Sequence, residues 1–277
     1  MWLRRSFQRT CLAFSLMLFS CISSAYAQAS SNTPGPEINT DRPTVTPTPF
    51  TVPPNYMQAE NGLGLTKEHA GQSFNAPQTL IRLGVLPRVE LRLTTPNYFL
   101  VRGGANDLSG VTDMSVGSKI QLGPLPGKLQ LAVIPGFTVP TGSKVLSSNA
   151  VDPFVQIVAG RSLSKNWTVC SAHSIFLKTV VSEPQNDLEA PTSNQGVIYQ
   201  PTFAFIRKLS PKADFFTEYV GNFQKSTLSN QIVDCATLYR FRRNQQVSAR
   251  LGIGLTKASP TAFVEFGYSV LLGKILR

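Results

Sequence analysis

Histidine is nearly absent from this chain, with two in 277 residues, and cysteine is scarce, with four. His69 and His173 stand far apart and neither has partners at metal-ligand spacing, so the pattern of a zinc-type site is missing. Charged residues make up 15% of the chain. Long apolar runs are missing too: past the N-terminus nothing approaches the roughly 18 consecutive apolar residues of a membrane-crossing helix. Gly123-Pro124-Leu125-Pro126-Gly127-Lys128 lacks the spacing and hydroxyl residue of a phosphate loop and reads as a turn. Ser171-Ala172-His173 puts a serine and a histidine on one strand face, but no surrounding motif supports catalysis. No catalytic, cofactor-binding or metal-binding residue is assigned, no cofactor is expected, and an enzyme is not the expectation.

What is present begins with a leader. Arg4, Arg5 and Arg9 precede the mostly apolar stretch Cys11 to Phe19, and Ala25-Tyr26-Ala27 offers a small-x-small cleavage pattern before Gln28, so residues 1–27 read as a cleaved secretory signal peptide. Its removal takes the formal charge from +11 to +8. That basic balance would raise nucleic acid as a partner, but export argues against it. Cys11 and Cys21 leave with the leader. Alternation puts Cys170 toward the inside of the sheet and Cys235 toward the outside, on strands that are not neighbours, so two free thiols are expected.

The mature chain is a relay of segments in which apolar and polar residues alternate. Val89-Glu90-Leu91-Arg92-Leu93 and Val247-Ser248-Ala249-Arg250-Leu251 are clear examples. Successive side chains of a strand point to opposite faces, so each segment has one greasy and one wet side. Strands are predicted near 56–67, 77–86, 88–97, 111–122, 128–139, 151–162, 166–179, 196–208, 212–223, 230–242, 246–256 and 261–273. Their connections alternate: short at 86–87, 123–127, 163–165, 209–211 and 243–245, longer at 98–110, 140–150 and 180–195. Short turns on one side and long loops on the other match an all-β fold, a transmembrane antiparallel up-and-down barrel of about twelve strands over residues 56–277, with both ends periplasmic. A soluble sandwich explains the alternation but not this rhythm.

Residues 28–55 are rich in Ser, Thr, Asn and Pro. Prolines at 34, 36, 43, 47, 49, 53 and 54 prevent a regular ladder and favour extended conformations. Two readings stay open: a loose periplasmic tail, or a plug-like segment whose Asp41, Arg42, Pro43 and Phe50 enter the barrel mouth and narrow it.

The alternation sorts charge inward. Glu60, Arg82, Glu90, Arg92, Asp113, Lys119, Asp152, Asp214, Glu218, Asp234, Arg240, Arg250 and Glu265 fall on the inner phase as candidate pore-lining residues. A Lys or Arg facing lipid at mid-membrane would cost about 2–4 kcal/mol, which enforces this sorting. Such residues equally serve to pair across strands and hold a barrel shut. Gly62, Gly64 and Gly117 on the same phase leave room for long partners or for a narrow passage. Phe154, Phe216 and Phe263 are inward aromatic candidates.

Thr40-Asp41-Arg42-Pro43, Phe50-Thr51-Val52-Pro53 and Gln58-Ala59-Glu60-Asn61-Gly62 resemble the start of the MetA-pathway phenol-degradation family of outer-membrane transporter proteins. Asp234-Cys235-Ala236, Asn244-Gln245-Gln246 and Gly252-Ile253-Gly254-Leu255 resemble its last hairpins. The resemblance implies an outer-membrane channel or transporter for small, often aromatic or hydrophobic, molecules. Its partners would be outer-membrane lipid, the barrel-assembly machinery during biogenesis and a small-molecule solute. Relatives tend to finish on an aromatic residue, whereas this chain continues through Gly273 to Arg277. Glu265-Phe266-Gly267-Tyr268-Ser269-Val270-Leu271-Leu272 resembles the assembly signal placed internally. The alternative is a non-conducting surface or scaffold barrel that binds a partner through its loops.

Overall fold

The computed structural model describes residues 35–103, 107–182 and 192–274. The expected leader, residues 1–27, lies outside them. The alternating segments form β1 (Tyr56–Lys67), β2 (Gln72–Ala76), β3 (Leu80–Leu86), β4 (Val89–Thr94), β5 (Tyr98–Arg102), β6 (Leu108–Val111), β7 (Met114–Gln121) and β8 (Gln130–Val139). They continue with β9 (Asp152–Ser162), β10 (Trp167–Ser182), β11 (Thr192–Lys208), β12 (Ala213–Gln224), β13 (Asn230–Arg242), β14 (Gln245–Gly254) and β15 (Ala262–Lys274). Every described pairing is antiparallel, and β15 pairs back onto β1 with Gly62 opposite Gly267. The ladder therefore closes, which removes the exposed edge that an open sheet would present.

Fifteen segments make twelve barrel strands, because β2 with β3, β4 with β5 and β6 with β7 are the halves of three interrupted strands. Pro77 and Pro96 lie at the first two interruptions, where the missing N–H cannot serve a ladder. The three breaks sit side by side and are patched by other bonds: Gly62 N to Pro77 O (2.7 Å), Thr95 N to Thr79 O (3.0 Å) and Thr112 N to Asn97 O (2.9 Å).

This corrects the expected strand limits. The stretch 98–110, read as a long loop, holds β5 and β6, and β2 lies where a connection was expected. Tyr98 to Arg102 becomes a strand because β2 lies alongside to pair with it, a contact local periodicity does not contain. β10 likewise runs on to Ser182 and β11 starts at Thr192, so the 180–195 connection is shorter than expected, its residues 183–191 lying outside the described ones.

The two faces separate as the alternation requires. Leu65, Ile157, Phe205, Leu251, Ile253 and Phe266 project outward and are exposed, while Glu60, Arg82, Glu90, Lys119 and Glu218 are buried inside. Near the 163–166 turn the Arg207 guanidinium lies 5.4 Å from the Trp167 ring centroid, an amphipathic pair suited to a membrane–water boundary. Among the described residues, Cys170 and Cys235 are both free thiols.

Leu251 lies within the outward row of β14 and Leu163 at a short turn, and both are exposed. Leu251→Arg is expected to destabilise the folded barrel by about 2–4 kcal/mol in urea unfolding from lipid vesicles, whereas Leu163→Arg should cost at most about 1 kcal/mol. Equal costs would contradict a lipid-facing row at mid-depth.

Candidate functional site

Residues 36–55 run inside the barrel. With prolines at 36, 43, 47, 49, 53 and 54, the segment has gaps in its own donors and joins no wall ladder. Buried peptide groups still require partners; near the segment's ends Ile38 N donates to Arg243 O (3.0 Å) and Asn55 N to Gly84 O (2.7 Å), and between them the wall supplies side chains. Glu60 accepts from the Asp41 and Arg42 amides (3.1 and 3.0 Å), Glu218 from those of Val45 and Thr46 (2.9 and 2.6 Å), and Glu90 from that of Val52 (2.7 Å). Donors come from the wall as well. Arg82 reaches the carbonyls of Asn39 (3.1 Å) and Phe50 (2.9 Å), Lys119 that of Thr48 (2.8 Å), and Gln58 that of Asn39 (2.9 Å). At the short-turn end Ile38 and Val52 pack on Leu271 and Tyr56.

Asp41 is the electrostatic centre of the segment. Its carboxylate lies 2.7 Å from Arg92, 2.8 Å from Lys119 and 3.5 Å from Arg82. Arg82 also bonds Glu90 (2.8 Å) and Glu60 (2.9 Å), and Arg92 bonds Glu90 (2.7 Å). On the wall, three cations face two carboxylates. One positive charge is left over, and Asp41 cancels it. Burial opposes the charge on Asp41, but Arg82, Lys119 and Arg92 outweigh it and hold the carboxyl well below the usual carboxylate range. A carboxyl depressed in this way contributes stability that is present above its unfolded pKa and is lost only as pH falls through the lowered one, so the lock holds at neutral and mildly acidic pH.

The other half of the lumen has the opposite balance. Arg250 sits among Asp234 (2.6 Å), Glu265 (3.2 Å) and Glu218 (3.4 Å), with its guanidinium 4.8 Å from the Phe263 ring centroid. Arg42 points to this acidic side. Its guanidinium lies over Gly62 and its stem over Gly267, the paired glycines at the barrel seam, and it donates to Gln78 Oε1. A side chain at Gly62 would occupy the space of that guanidinium. Adjacent Asp41 and Arg42 are thus charge-complementary to two different parts of the wall.

The segment divides the lumen into two vestibules. The one toward the longer connections has a volume of about 450 Å3 and is lined by Arg42, Pro43, Arg92, Arg250, Glu60 and Glu265, with Phe154 and Phe176 on its wall. These rings are 5.7 Å apart between centroids. The second, on the short-turn side, measures about 610 Å3 and includes Phe50, Phe216 and Arg240 in its lining. Arg240 bonds Asp214 there at 2.6 Å.

Two of the inward-phase carboxylates serve the barrel's end instead. Asp113 accepts from the amides of Gly142 (2.8 Å) and Ser148 (3.2 Å), tying down the 140–150 connection, and Asp152 accepts from the Thr179 amide (3.0 Å). Thr46, Gln58, Gln78 and Gln246 were not singled out from sequence, yet each bonds across the segment–wall boundary or supports it. For Gln58, Gln78 and Gln246 the inward phase was the available signal, but uncharged polar residues on that phase are too common to choose among; Thr46 lies in the Pro-rich segment, where no phase exists. Ser171 Oγ lies 3.4 Å from His173 Nε2 but donates to the Thr202 carbonyl (3.0 Å), and His173 pairs with the Tyr199 hydroxyl (2.7 Å) on the exposed outer face. Among the described residues no group of three or more His, Cys, Asp or Glu is arranged to hold a metal.

A family model described as "Putative MetA-pathway of phenol degradation" matches residues 40–272. Among curated proteins none matches the chain in sequence. Among solved structures, the COG4313 outer membrane channel from Pseudomonas putida F1 is similar, with TM-score 0.60 and 13% identity over 80% of this chain and 97% of that one. The beta domain of the Bordetella autotransporter BrkA has TM-score 0.51 and 11% identity over 78% and 98%. At these identities the likeness concerns the fold, a closed outer-membrane type of barrel.

The Glu218 carboxylate holds two successive amides and the Thr46 hydroxyl. Glu218→Gln replaces one acceptor oxygen by a donor facing them. Hydrogen exchange at Val45 and Thr46 is expected to accelerate by about tenfold to a hundredfold, the worth of hydrogen bonds to a charged group, with strand protection retained. Unchanged exchange at both amides would mean that the carboxylate does not hold the segment.

Proposed function

Since the chain belongs to the MetA-pathway phenol-degradation family, we propose that it serves in the bacterial outer membrane as a passive channel or transporter for small molecules, aromatic or hydrophobic ones among them. Residues 36–55 are the element that closes its lumen. One observation carries this reading: along its middle the segment is held by wall side chains, and it contributes no strand to the barrel ladder. Its displacement would join the two vestibules without unzipping the barrel wall. Twelve strands lie between the small barrels whose interiors side chains fill and the porins of sixteen or more that hold an open channel, so a narrow conduit with an internal closure suits this size. The exposed apolar outer face fits lipid, and delivery through the barrel-assembly machinery belongs to the same reading. Chemistry on the solute is no part of it: the polar lumen residues bind the segment and one another.

Planar bilayers test conduction. The full chain should show small discrete currents, removal of residues 28–50 should enlarge them, and Arg92→Gln should shift ion selectivity toward cations, because a fixed charge in a narrow pore acts strongly on passing ions. Closed bilayers for both lengths, with folding confirmed by circular dichroism, would put the loop-binding scaffold ahead.

Orientation has its own test. A protease-cleavable tag inserted at Ser147-Ser148, in a longer connection, should be cut in intact cells, and one at Asn244, in a short turn, should be protected. Cutting confined to Asn244 would invert the barrel.

A further inference from the structure

The short-turn vestibule differs from the other in chemistry. Its floor is apolar: Phe216, Leu238 and Ile206 from the wall belong to one packed cluster, and Phe50 and Pro49 of the internal segment face the same space. Its rim is cationic. Lys128, Arg161, Lys165 and Lys208 line it together with Arg240, whereas Asp214 is the one carboxylate among the described lining residues. Asp214 is already bound to Arg240 at 2.6 Å, with exposed Glu37 at 3.7 Å from the same guanidinium. The opposite vestibule has as many carboxylates as cations in its described lining, Asp41, Glu60 and Glu265 against Arg42, Arg92 and Arg250. The asymmetry therefore belongs to one mouth and is not a general property of the lumen.

We propose that the short-turn vestibule is a binding site for a small organic anion with an apolar body, a soluble carboxylate whose hydrocarbon part rests on Phe216, Leu238 and Ile206 while its charge meets the rim. An apolar floor gains from covering by hydrocarbon. A cleft lined by one sign of charge gathers ions of the other sign, more strongly at low salt. Neither feature alone selects this class: a neutral phenol satisfies only the floor and acetate only the rim. The proposal deepens the channel reading by naming a solute class and rests on it for its biological meaning, while the binding itself is measurable without current.

Equilibrium dialysis of 2-naphthoate against the purified full chain in non-ionic detergent supplies the test. Saturable binding at one site per chain is expected, weakening as salt rises. At pH 7, uncharged 2-naphthol and acetate should each bind at least about tenfold more weakly, and the Lys165→Gln/Lys208→Gln variant should lose about tenfold in 2-naphthoate affinity. Those lysines are exposed, and circular dichroism checks that the variant folds. Equal binding of 2-naphthol, equal binding of acetate, or undiminished binding by the folded variant would each overturn the proposal. So would displacement by short-chain phosphatidylglycerol more tightly than 2-naphthoate binds, which would give the rim to lipid headgroups. Closed bilayers with intact naphthoate binding would remove only the channel reading; currents without such binding would remove only this one.

Discussion

Peptide groups threaded through a barrel must hydrogen-bond to something, and residues 36–55 join no strand ladder from which to take their partners. Their prolines lack the donors that a ladder needs. The partners come instead from Glu60, Glu90 and Glu218 as acceptors and from Arg82 and Lys119 as donors, each held in place by the closed wall. Most features of the lumen depend on this substitution of side chains for a ladder. It requires buried charges, the buried charges require one another, and the resulting network sets where the segment lies.

A buried ion pair is weak support for stability, because desolvation offsets much of the attraction, but removing one partner is costly. In this barrel the network is better understood as addressing. The wall around Arg82, Arg92 and Lys119 has one positive charge more than Glu60 and Glu90 balance, while the wall around Arg250 has an acidic surplus. Asp41 and Arg42 answer these two surpluses in order. A shift by one residue would set the wrong charge in one place and an uncharged Thr40 or Pro43 in the other, so register is specified although no strand pairing defines it. The same placement divides the lumen into a charge-balanced vestibule and a cationic one with an apolar floor.

The barrel itself was legible in the chain because alternation is local. Val247 to Leu255 announces a strand, its phase puts Arg250 inside and Leu251 outside, and the structure keeps both. The alternation of short and long connections led to about twelve strands. It did not show that three neighbouring strands are interrupted, nor that Tyr98 to Arg102 is a strand, since that segment pairs only because β2 lies beside it. Gly267 could be placed in an assembly-like pattern from sequence. Its position opposite Gly62, forming a bare seam beneath Arg42, depends on the first and last strands meeting.

The sequence by itself determined the fold class, the inward sorting of charge and the proline-imposed exclusion of residues 36–55 from any ladder, because period-two alternation and a missing N–H act within a few residues. Composition could not separate a loose tail from an internal segment. Only the tertiary structure decided that, through contacts such as Thr46 with Glu218, 172 residues apart in the chain. Each inward charge has many possible partners until closure of the barrel selects them. That choice is a property of distances across the lumen, which no local pattern encodes.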